Sequence, residues 1–448
     1  MQATDILSLK SAIEEMLNRH DWQGLKDLLV QFPEQDVADL IPEIHEEKRL
    51  FILRLLPTGF LPKVFTHLDR RLKDNILKFL TAEENRTILA GMTPDDRTDF
   101  LEELPGTAIQ KLLTLLTPEE RRTTLQLLGY PVESVGRIMT PDYIAVRPEW
   151  SVGEALSHVR WKGKDCETVN VIYVVDGDWK LVGVLGLRRL ILADPDESIA
   201  RIMEKAVISV SAFDNREEGV RRIRRYDIIA LPVVDAKGVM LGMVTIDDLF
   251  DVAEEETTED FQKSAAVNPL RGGFRESSVL SLYGKRILWL SGLFGVSVLT
   301  TAMISSEREI LTSTIALASF IPLLIGAGGN TGAQSSTLMV RAMAQGEMIG
   351  SQWRKALLRE VIIGCLLGCT MGAASLLLGL LQGGWILAAI VSLTMACIVV
   401  FSSIFGILLP LILHRMRLDP AVASSPLIAS VMDIMGLAIY FFIATRLL

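Results

Sequence analysis

Cysteine and histidine are scarce in this chain of 448 residues, which contains 4 Cys and 5 His. The cysteines are scattered and the histidines do not cluster, so their spacing indicates neither a disulfide framework nor a closed zinc site. No nucleophile–base pair and no nucleotide-hydrolysing motif is recognisable, which argues against an enzyme. The N-terminus also lacks the apolar core of a signal peptide. We therefore expect the charged part of the chain to stay in the cytosol.

Basic residues are fewer than acidic residues in this chain. The chain has 45 Lys and Arg against 54 Asp and Glu, a formal net charge of −9, and the charged residues concentrate in residues 1–275. Nucleic-acid binding needs basic patches, so this balance disfavours a nucleic-acid partner. An acidic soluble region is suited to cationic ligands.

Charge is absent over long stretches from Ile287 onward. The uncharged runs cover residues 287–306, 310–340, 361–413 and, but for one residue, 421–445. The third run is too long for one bilayer crossing, and Gln382-Gly383-Gly384 divides it in two. The sequence therefore predicts five membrane-spanning helices after a soluble half.

Asp433 is the one charged residue of the last run, with twelve uncharged residues on either side. A carboxylate at mid-depth costs about 2.5–3.5 kcal/mol on insertion scales, so such residues usually face a bundle interior or a water-filled path. This pattern favours a cation site at Asp433. The alternative is a protonated carboxyl with a structural hydrogen bond.

Residues 1–130 show apolar positions at three- and four-residue spacing, interrupted by prolines such as Pro94, Pro105 and Pro118. The pattern predicts stacked short helices that form an all-α superhelical domain. Asp95 and Asp99 share one helix side and make an acidic face. That face is either a cation-binding surface or simply a solvated one.

Residues 131–253 contain an internal repeat. Arg137-Ile-Met139 recurs as Arg201-Ile-Met203, Val174-Val-Asp176 recurs as Val233-Val-Asp235, and the first copy carries a five-residue insertion near residues 162–169. Each copy reads strand, helix, strand, turn, strand, helix. The pair resembles tandem α+β CBS domains, which implies a compact module that dimerises and senses adenine nucleotides or ions.

The sequence only partly supports the binding of an adenine nucleotide such as ATP to this module. Asp247 follows the last strand of the second copy, where CBS domains hold ribose hydroxyls with an Asp. The first copy has Leu187-Arg188-Arg189 at that point and no acid.

Eight carboxylates follow within residues 247–260. On a helix, Asp248, Asp251, Glu255 and Glu259 form one stripe, and like charges at that spacing repel. Hard divalent ions prefer such oxygen ligands. The sequence therefore predicts an acidic connecting helix over residues 254–280 that binds Mg²⁺, with a solvated acidic linker as the alternative.

The second apolar run contains Pro322 and the segment Gly328-Gly329-Asn330-Thr331-Gly332. Gly328, Gly329 and Asn330 are candidates for lining a polar path through the membrane. The alternative is close helix packing, which glycines permit in membranes.

This segment, together with Leu418-Asp419-Pro420-Ala421 and Asp433, resembles the MgtE family of magnesium channels and transporters. The resemblance covers nearly the whole chain and implies four parts: a helical N-domain (1–130), tandem CBS domains (131–253), a connecting or plug helix (254–280) and a five-helix transmembrane domain (281–448). It also implies a homodimer in a lipid bilayer, with the pore at the dimer axis.

Site residues follow from the same resemblance. Asp433 matches the pore carboxylate that binds hydrated Mg²⁺, and Ser425 and Ala429 match neighbouring pore-lining positions. Four acidic residues match positions that bind regulatory Mg²⁺, namely Asp248, Asp251, Glu256 and Glu259. The implied function is a Mg²⁺-selective channel or transporter with passive influx, gated shut by cytosolic Mg²⁺. Transport mainly of Co²⁺ or Mn²⁺, or a non-conducting CBS-regulated membrane sensor, remains the alternative.

Basic residues set the expected orientation, because cytoplasmic loops carry an excess of Lys and Arg. They cluster before the first span, between the second and third, and between the fourth and fifth: Arg271, Arg275, Lys285, Arg286, Arg341, Arg354, Lys355, Arg359, Arg415 and Arg417. We expect a multi-pass protein of the plasma membrane, inner in bacteria, with its N-terminus and soluble domains in the cytoplasm and its C-terminus outside.

Overall fold

The computed structural model describes residues 3–102, 104–164, 166–270, 274, 277–345 and 352–448. It divides into two compact units, Met1–Glu255 and Glu256–Leu448. Arg271 and Arg275, which entered the orientation argument, lie outside the described residues.

The first part of the first unit is helical, as predicted. Its helices are α1 (Ala3–Arg19), α2 (Trp22–Leu29), α3 (Glu34–Leu40), α4 (Glu46–Leu55), α5 (Leu61–Thr66), α6 (Arg70–Phe79), α7 (Ala82–Ala90), α8 (Pro94–Glu102), α9 (Gly106–Leu113) and α10 (Pro118–Leu128). These helices are short because signals for a helix N-terminus recur often in the sequence. Thr81 with Glu84, and Thr117 with Glu120, form capping boxes that satisfy orphan N–H groups at the starts of α7 and α10. Leu and Ile side chains from successive helices form one continuous core.

The two repeat copies each form a three-stranded sheet with the same topology, a parallel pair followed by an antiparallel pair. The strands are β1 (Ala145–Val146), β2 (Val171–Val175), β3 (Leu181–Gly186), β4 (Val210–Ser211), β5 (Ala230–Val234) and β6 (Met240–Thr245). The helices are α11 (Val152–Lys162), α12 (Leu187–Leu192), α13 (Ile199–Ile202) and α14 (Arg216–Tyr226). The predicted α+β repeat is confirmed.

The five-residue insertion is a loop. Between α11 and β2 the first copy has residues 163–170, whereas between α14 and β5 the second copy has only residues 227–229. We call residues 163–170 the insertion loop; Asp165 within it lies outside the described residues.

Helix α15 (Ile246–Ser264) follows β6 directly, and the division between the two units falls within it. The remaining helices are α16 (Val279–Ser306), α17 (Arg308–Ser313), α18 (Ala316–Ala344), α19 (Gln352–Arg415) and α20 (Ser425–Leu447). Four of these, α16, α18, α19 and α20, are long and apolar enough to cross a membrane by length and composition.

Helix α19 contains a sharp break at Gly384, whose φ of 81° is a left-handed value that favours glycine. We call residues 352–383 the first arm and residues 385–415 the second arm. A Cβ added at Gly379 would lie 2.5 Å from Ala388 Cα, and one at Gly368 would lie 2.9 Å from the Ala396 carbonyl oxygen. The two arms therefore fold back on each other as a close-packed hairpin. The break lies where Gln382-Gly383-Gly384 predicted a division.

Helix α18 packs against both the second arm and α20. A Cβ added at Gly328 would lie 2.6 Å from Ile398 Cγ2, and one at Gly332 would lie 2.7 Å from Ile428 Cγ2. Small residues at these points let the helix backbones approach closely, as in other membrane bundles.

Candidate metal centre and membrane carboxylates

Three carboxylates meet on the first unit. Asp95, Glu167 and Asp248 each offer an oxygen, and these three oxygens all lie within 4.8 Å of one another. We call this group the carboxylate cluster. Such a spacing is close enough for the three oxygens to share one cation.

Three separate elements deliver these side chains. Asp95 lies in the first turn of α8 and Asp248 in the first turn of α15. Acidic residues are stabilised there by the helix dipole, which explains their position locally. Glu167 comes from the insertion loop, which the second repeat copy lacks.

Asp95 is the most constrained member, with a relative exposure of 7%. Within the described part of the chain, its Oδ1 atom is buried and has no hydrogen-bond partner. Burial raises the pKa of Asp95 well above its usual range, and the charges of Asp248 and Glu167 raise it further. An unsatisfied buried carboxylate is costly, so this atom needs a proton or a cation.

Thr245, the last residue of β6, partly satisfies the other two members. Its hydroxyl lies 2.6 Å from Asp248 Oδ2 and 3.1 Å from Glu167 Oε1. Burial still raises the pKa of Asp248 to about 7, with the Glu167 charge contributing. Partial desolvation of the carboxyl likewise raises the pKa of Glu167, although the residue as a whole is exposed.

The donor set fits a hard divalent cation. Carboxylate oxygens are the ligands that Mg²⁺ and Ca²⁺ prefer, and Mg²⁺ often uses only one or two of them and keeps several waters. The cluster offers carboxylate oxygens, among them the buried Asp95 Oδ1, which has no hydrogen-bond partner among the residues that the structure describes. Asp95, Glu167 and Asp248 are thus the residues that would hold such an ion.

The sequence named two of these three residues. Asp95 and Asp248 come together, whereas Asp99 is exposed on the same helix and lies outside the cluster. Glu167 was missed, because nothing in its neighbourhood resembles a ligand motif. The five-residue insertion was the available signal, since it marks where the two copies differ.

The remaining predicted acids of α15 have other surroundings. Glu255 is exposed and pairs with Arg216 at 2.8 Å, and Asp247 is exposed. Asp251 is also exposed as a residue. Nearby protein atoms still partly desolvate its carboxyl, which is the main cause of its raised pKa, and the charges of Glu254 and Glu255 raise the pKa further. The residues of the predicted stripe therefore have different surroundings: Asp248 belongs to the carboxylate cluster, and Glu255 forms an ion pair with Arg216.

Glu256 and Glu259 belong to the second unit. Glu256 is partly buried. Glu259 Oε1 lies 2.5 Å from Lys263 Nζ, one turn along the same helix. The predicted cation ligand Glu259 thus already has a cationic neighbour.

Asp433 lies within α20 and is partly buried in the single chain. One turn before it, Ala429 packs on Gly329 of α18, where an added Cβ would lie 3.3 Å from Ala429 Cβ. Gly328 and Gly329 are therefore helix contacts in this structure. Asn330, the next residue, is exposed, and Ser425 is the first residue of α20.

Comparisons with known proteins agree with this architecture. A family model for a divalent cation transporter matches residues 321–443, a model for the MgtE intracellular N domain matches residues 32–133, and the CBS domain model matches residues 135–196 and 199–255. These matches define the class: a membrane cation transporter with a helical domain and a CBS pair.

Relatives and solved structures narrow the class. The magnesium transporter MgtE of Thermus thermophilus is 37% identical over 98% of both chains, and that of Bacillus subtilis is 30% identical over 94% of both. The chain belongs to the MgtE family of magnesium transporters. A crystal structure of the cytosolic domain of the Mg²⁺ channel MgtE in complex with ATP is 36% identical, with a TM-score of 0.53, and covers 54% of this chain and 99% of that one. These relatives are transporters rather than enzymes.

Proposed function

We propose that the chain is a Mg²⁺-selective channel or transporter of the plasma membrane that admits Mg²⁺ passively and is closed by cytosolic Mg²⁺. Family membership supports the substrate, since the named relatives are magnesium transporters. An inside-negative potential of about 100 mV supplies about 4.6 kcal/mol for a divalent ion, twice the roughly 2.3 kcal/mol per unit charge. No coupled hydrolysis is then needed.

The conduction path is proposed to run beside Asp433. With the two arms of α19 counted separately, we take α16, α18, α19 and α20 as five spans. Cytoplasmic soluble domains would then imply a C-terminus outside. Asp433 lies in the interior of the last span. Ser425, Ala429 and Asn330 are the proposed neighbours along the path.

Regulation is proposed to act through the carboxylate cluster, and one observation carries this proposal. Asp95 Oδ1 is buried and has no hydrogen-bond partner among the described residues, while Glu167 and Asp248 lie within reach of the same point. A bound divalent cation would offset the charge of these three groups. Without one, the three carboxylates repel and disfavour the contact between α8, the insertion loop and α15. Asp251, Glu255, Glu256 and Glu259 are proposed as further regulatory positions.

A homodimer and an ATP site complete the proposal. The solved cytosolic relative was crystallised with ATP, and Asp247 is the residue proposed to contact ribose here. Arg189 occupies the matching point of the first copy, so we expect one nucleotide site at most per chain.

The conduction path is tested by Mg²⁺ uptake into proteoliposomes with an imposed inside-negative potential. Asp433→Ala should abolish uptake while the protein elutes as the native chain does. Glu309→Ala, which removes a carboxylate outside the long helices, is the matched control and should conduct normally. Equal uptake by native protein and Asp433→Ala would remove Asp433 from the path. Uptake of Co²⁺ or Mn²⁺ but not Mg²⁺ would overturn the substrate.

Regulation is tested by varying Mg²⁺ on the cytosolic side. Asp95→Asn should raise the Mg²⁺ concentration that halves the flux by about tenfold, which corresponds to about 1.4 kcal/mol. Asp99→Asn is the control on the same helix, and we expect it to close as the native chain does. If both substitutions raise the Mg²⁺ concentration that halves the flux by the same factor, the acidic face of α8 rather than the carboxylate cluster controls closure.

A further inference from the structure

Glu360 is a second carboxylate inside the spanning helices that the proposed path does not use. In α16, α18, α19 and α20 the acidic residues are Glu360 and Asp433. Glu360 is the ninth residue of α19, about 12 Å along the helix at 1.5 Å per residue. It follows Arg359 and directly precedes the uncharged run 361–413, so it lies at the end of the span rather than at mid-depth.

The partner of Glu360 lies on the glycine-rich helix. Ser335 Oγ donates a hydrogen bond to Glu360 Oε1 at 2.6 Å. Ser335 is 4% exposed. Its hydroxyl also lies 3.1 Å from the Thr331 carbonyl oxygen of its own helix. Because a serine hydroxyl has one proton, Glu360 competes with the backbone for it.

The hydrogen bond joins α18 to the first arm of α19, and Ser335 also lies at a close contact between α18 and the second arm. A Cβ added at Gly406 of the second arm would lie 2.4 Å from the Gly332 carbonyl oxygen and 2.8 Å from Ser335 Cβ. The same part of α18 also touches α20, since a Cβ at Gly332 would lie 2.7 Å from Ile428 Cγ2 and one at Gly329 would lie 3.3 Å from Ala429 Cβ. Ala429 is one turn from Asp433.

We propose that Glu360 is a positioning residue for transport, which fixes the glycine-rich turn of α18 against α20 by holding Ser335. The role rests on the hydrogen-bond acceptor of the side chain, not on its charge. This proposal rests on the proposed path beside Asp433, because it acts through the α18–α20 contact. In this proposal Glu360 acts through Ser335 and not as an ion ligand.

The test compares Mg²⁺ uptake by the full chain in proteoliposomes over a range of Mg²⁺ concentrations. Glu360→Ala and Ser335→Ala should each lower the maximal rate about tenfold, with the half-saturating Mg²⁺ concentration unchanged within about twofold. The double variant should be no slower than the slower single variant, because both remove the same bond. Ser375→Ala removes a buried serine of the first arm, the arm that carries Glu360, and should conduct normally.

Glu360→Gln decides between acceptor and charge. Its amide oxygen can still accept from Ser335 at nearly unchanged volume, so we expect uptake within about threefold of native. Uptake as slow as that of Glu360→Ala, a raised half-saturating concentration, or multiplicative losses in the double variant would overturn the proposal and assign Glu360 an ionic role. Asp433→Ala in the same vesicles separates the two proposals. Normal uptake by Asp433→Ala would reject the path beside Asp433 and, with it, this role of Glu360. Loss of uptake in Asp433→Ala together with normal uptake in Glu360→Ala would reject the role of Glu360 alone.

Discussion

Lys263 Nζ lies 2.5 Å from Asp419 Oδ2, so an ion pair joins the last turn of α15 to the turn that precedes α20. The other oxygen of Asp419 accepts a hydrogen bond from the Ala421 N–H at 2.8 Å. Asp419 therefore links two segments of the second unit. Partial burial alone would lower the pKa of Lys263, but hydrogen bonds to Asp419 and Glu259 outweigh it and raise the pKa.

Asp419→Asn should lower the free energy of unfolding by about 1 kcal/mol or less, because the pair is partly exposed and water screens it. Asp419→Ala should cost more, since it also removes the acceptor for the Ala421 N–H. Thermal unfolding of the purified full chain, followed by tryptophan fluorescence, measures both. Equal losses would show that the Lys263 contact alone matters.

The carboxylate cluster should make stability depend on pH. The folded pKa of Asp248 is about 7, above its unfolded value of about 3.9, so the folded state binds more protons between these values. Stability without divalent ions should therefore fall as pH rises from about 4 to about 7, and then level off. Unfolding midpoints in chelator over this range measure the slope.

Asp248→Asn is the variant that checks this assignment. It removes one titrating group of the cluster and keeps an acceptor for Thr245, so the slope should decrease; Asp95 and Glu167, whose pKa values are also raised, account for the remainder. Adding Mg²⁺ to the native chain near pH 7.5 should raise the unfolding midpoint, because an ion that binds only the folded state stabilises it. A slope unchanged in Asp248→Asn would assign the titration to other groups.

Arg137 should be important for stability, because its buried guanidinium joins three parts of the first unit. Its Nε lies 2.7 Å from Glu102 Oε2 of α8, and its Nη1 donates to the Leu128 carbonyl oxygen at the end of α10. Arg137→Met would leave a half-buried carboxylate and helix-end carbonyls without donors, which should cost about 2–4 kcal/mol.

Arg201 is the matched control for Arg137. It occupies the same position of the second repeat copy and is exposed. Arg201→Met should change stability by no more than about 0.5 kcal/mol, as for other exposed positions. Comparable losses from the two substitutions, measured by unfolding of the full chain, would contradict the role given to Arg137.

The α19 hairpin should depend on Gly379. An added Cβ would lie 2.5 Å from backbone atoms of Ala388, so Gly379→Ala must push the arms apart. We expect a cost of about 1–3 kcal/mol, as for other overpacked sites. Gly292→Ala is the control, since a Cβ there meets nothing within 4 Å. Unfolding in detergent and the yield of intact protein distinguish the two variants.

Local patterns were enough to predict most of the fold. The short helices have their prolines and caps in the sequence, the repeat is visible as matching triplets, and Gln382-Gly383-Gly384 marks the break at Gly384. These features depend on residues that are close in the chain. The predicted five spans and domain limits remain predictions.

The carboxylate cluster could be predicted only in part, because its members come from distant segments. Asp95 and Asp248 were named for their acidic surroundings, yet Asp99 and Asp251 looked equally suitable and remain exposed. Which side of a helix is covered depends on tertiary packing. Glu167 and Glu360 were missed for the same reason: each acquires its significance from a partner on another element, Asp248 and Ser335 respectively.

The insertion loop makes the two repeat copies different in the residues they contribute. Here the first copy contributes Glu167, and the second contributes Thr245 and leads directly into Asp248. Neither half can be replaced by a second copy of the other without losing Glu167, Thr245 or Asp248, so this group of residues requires two different copies in one module.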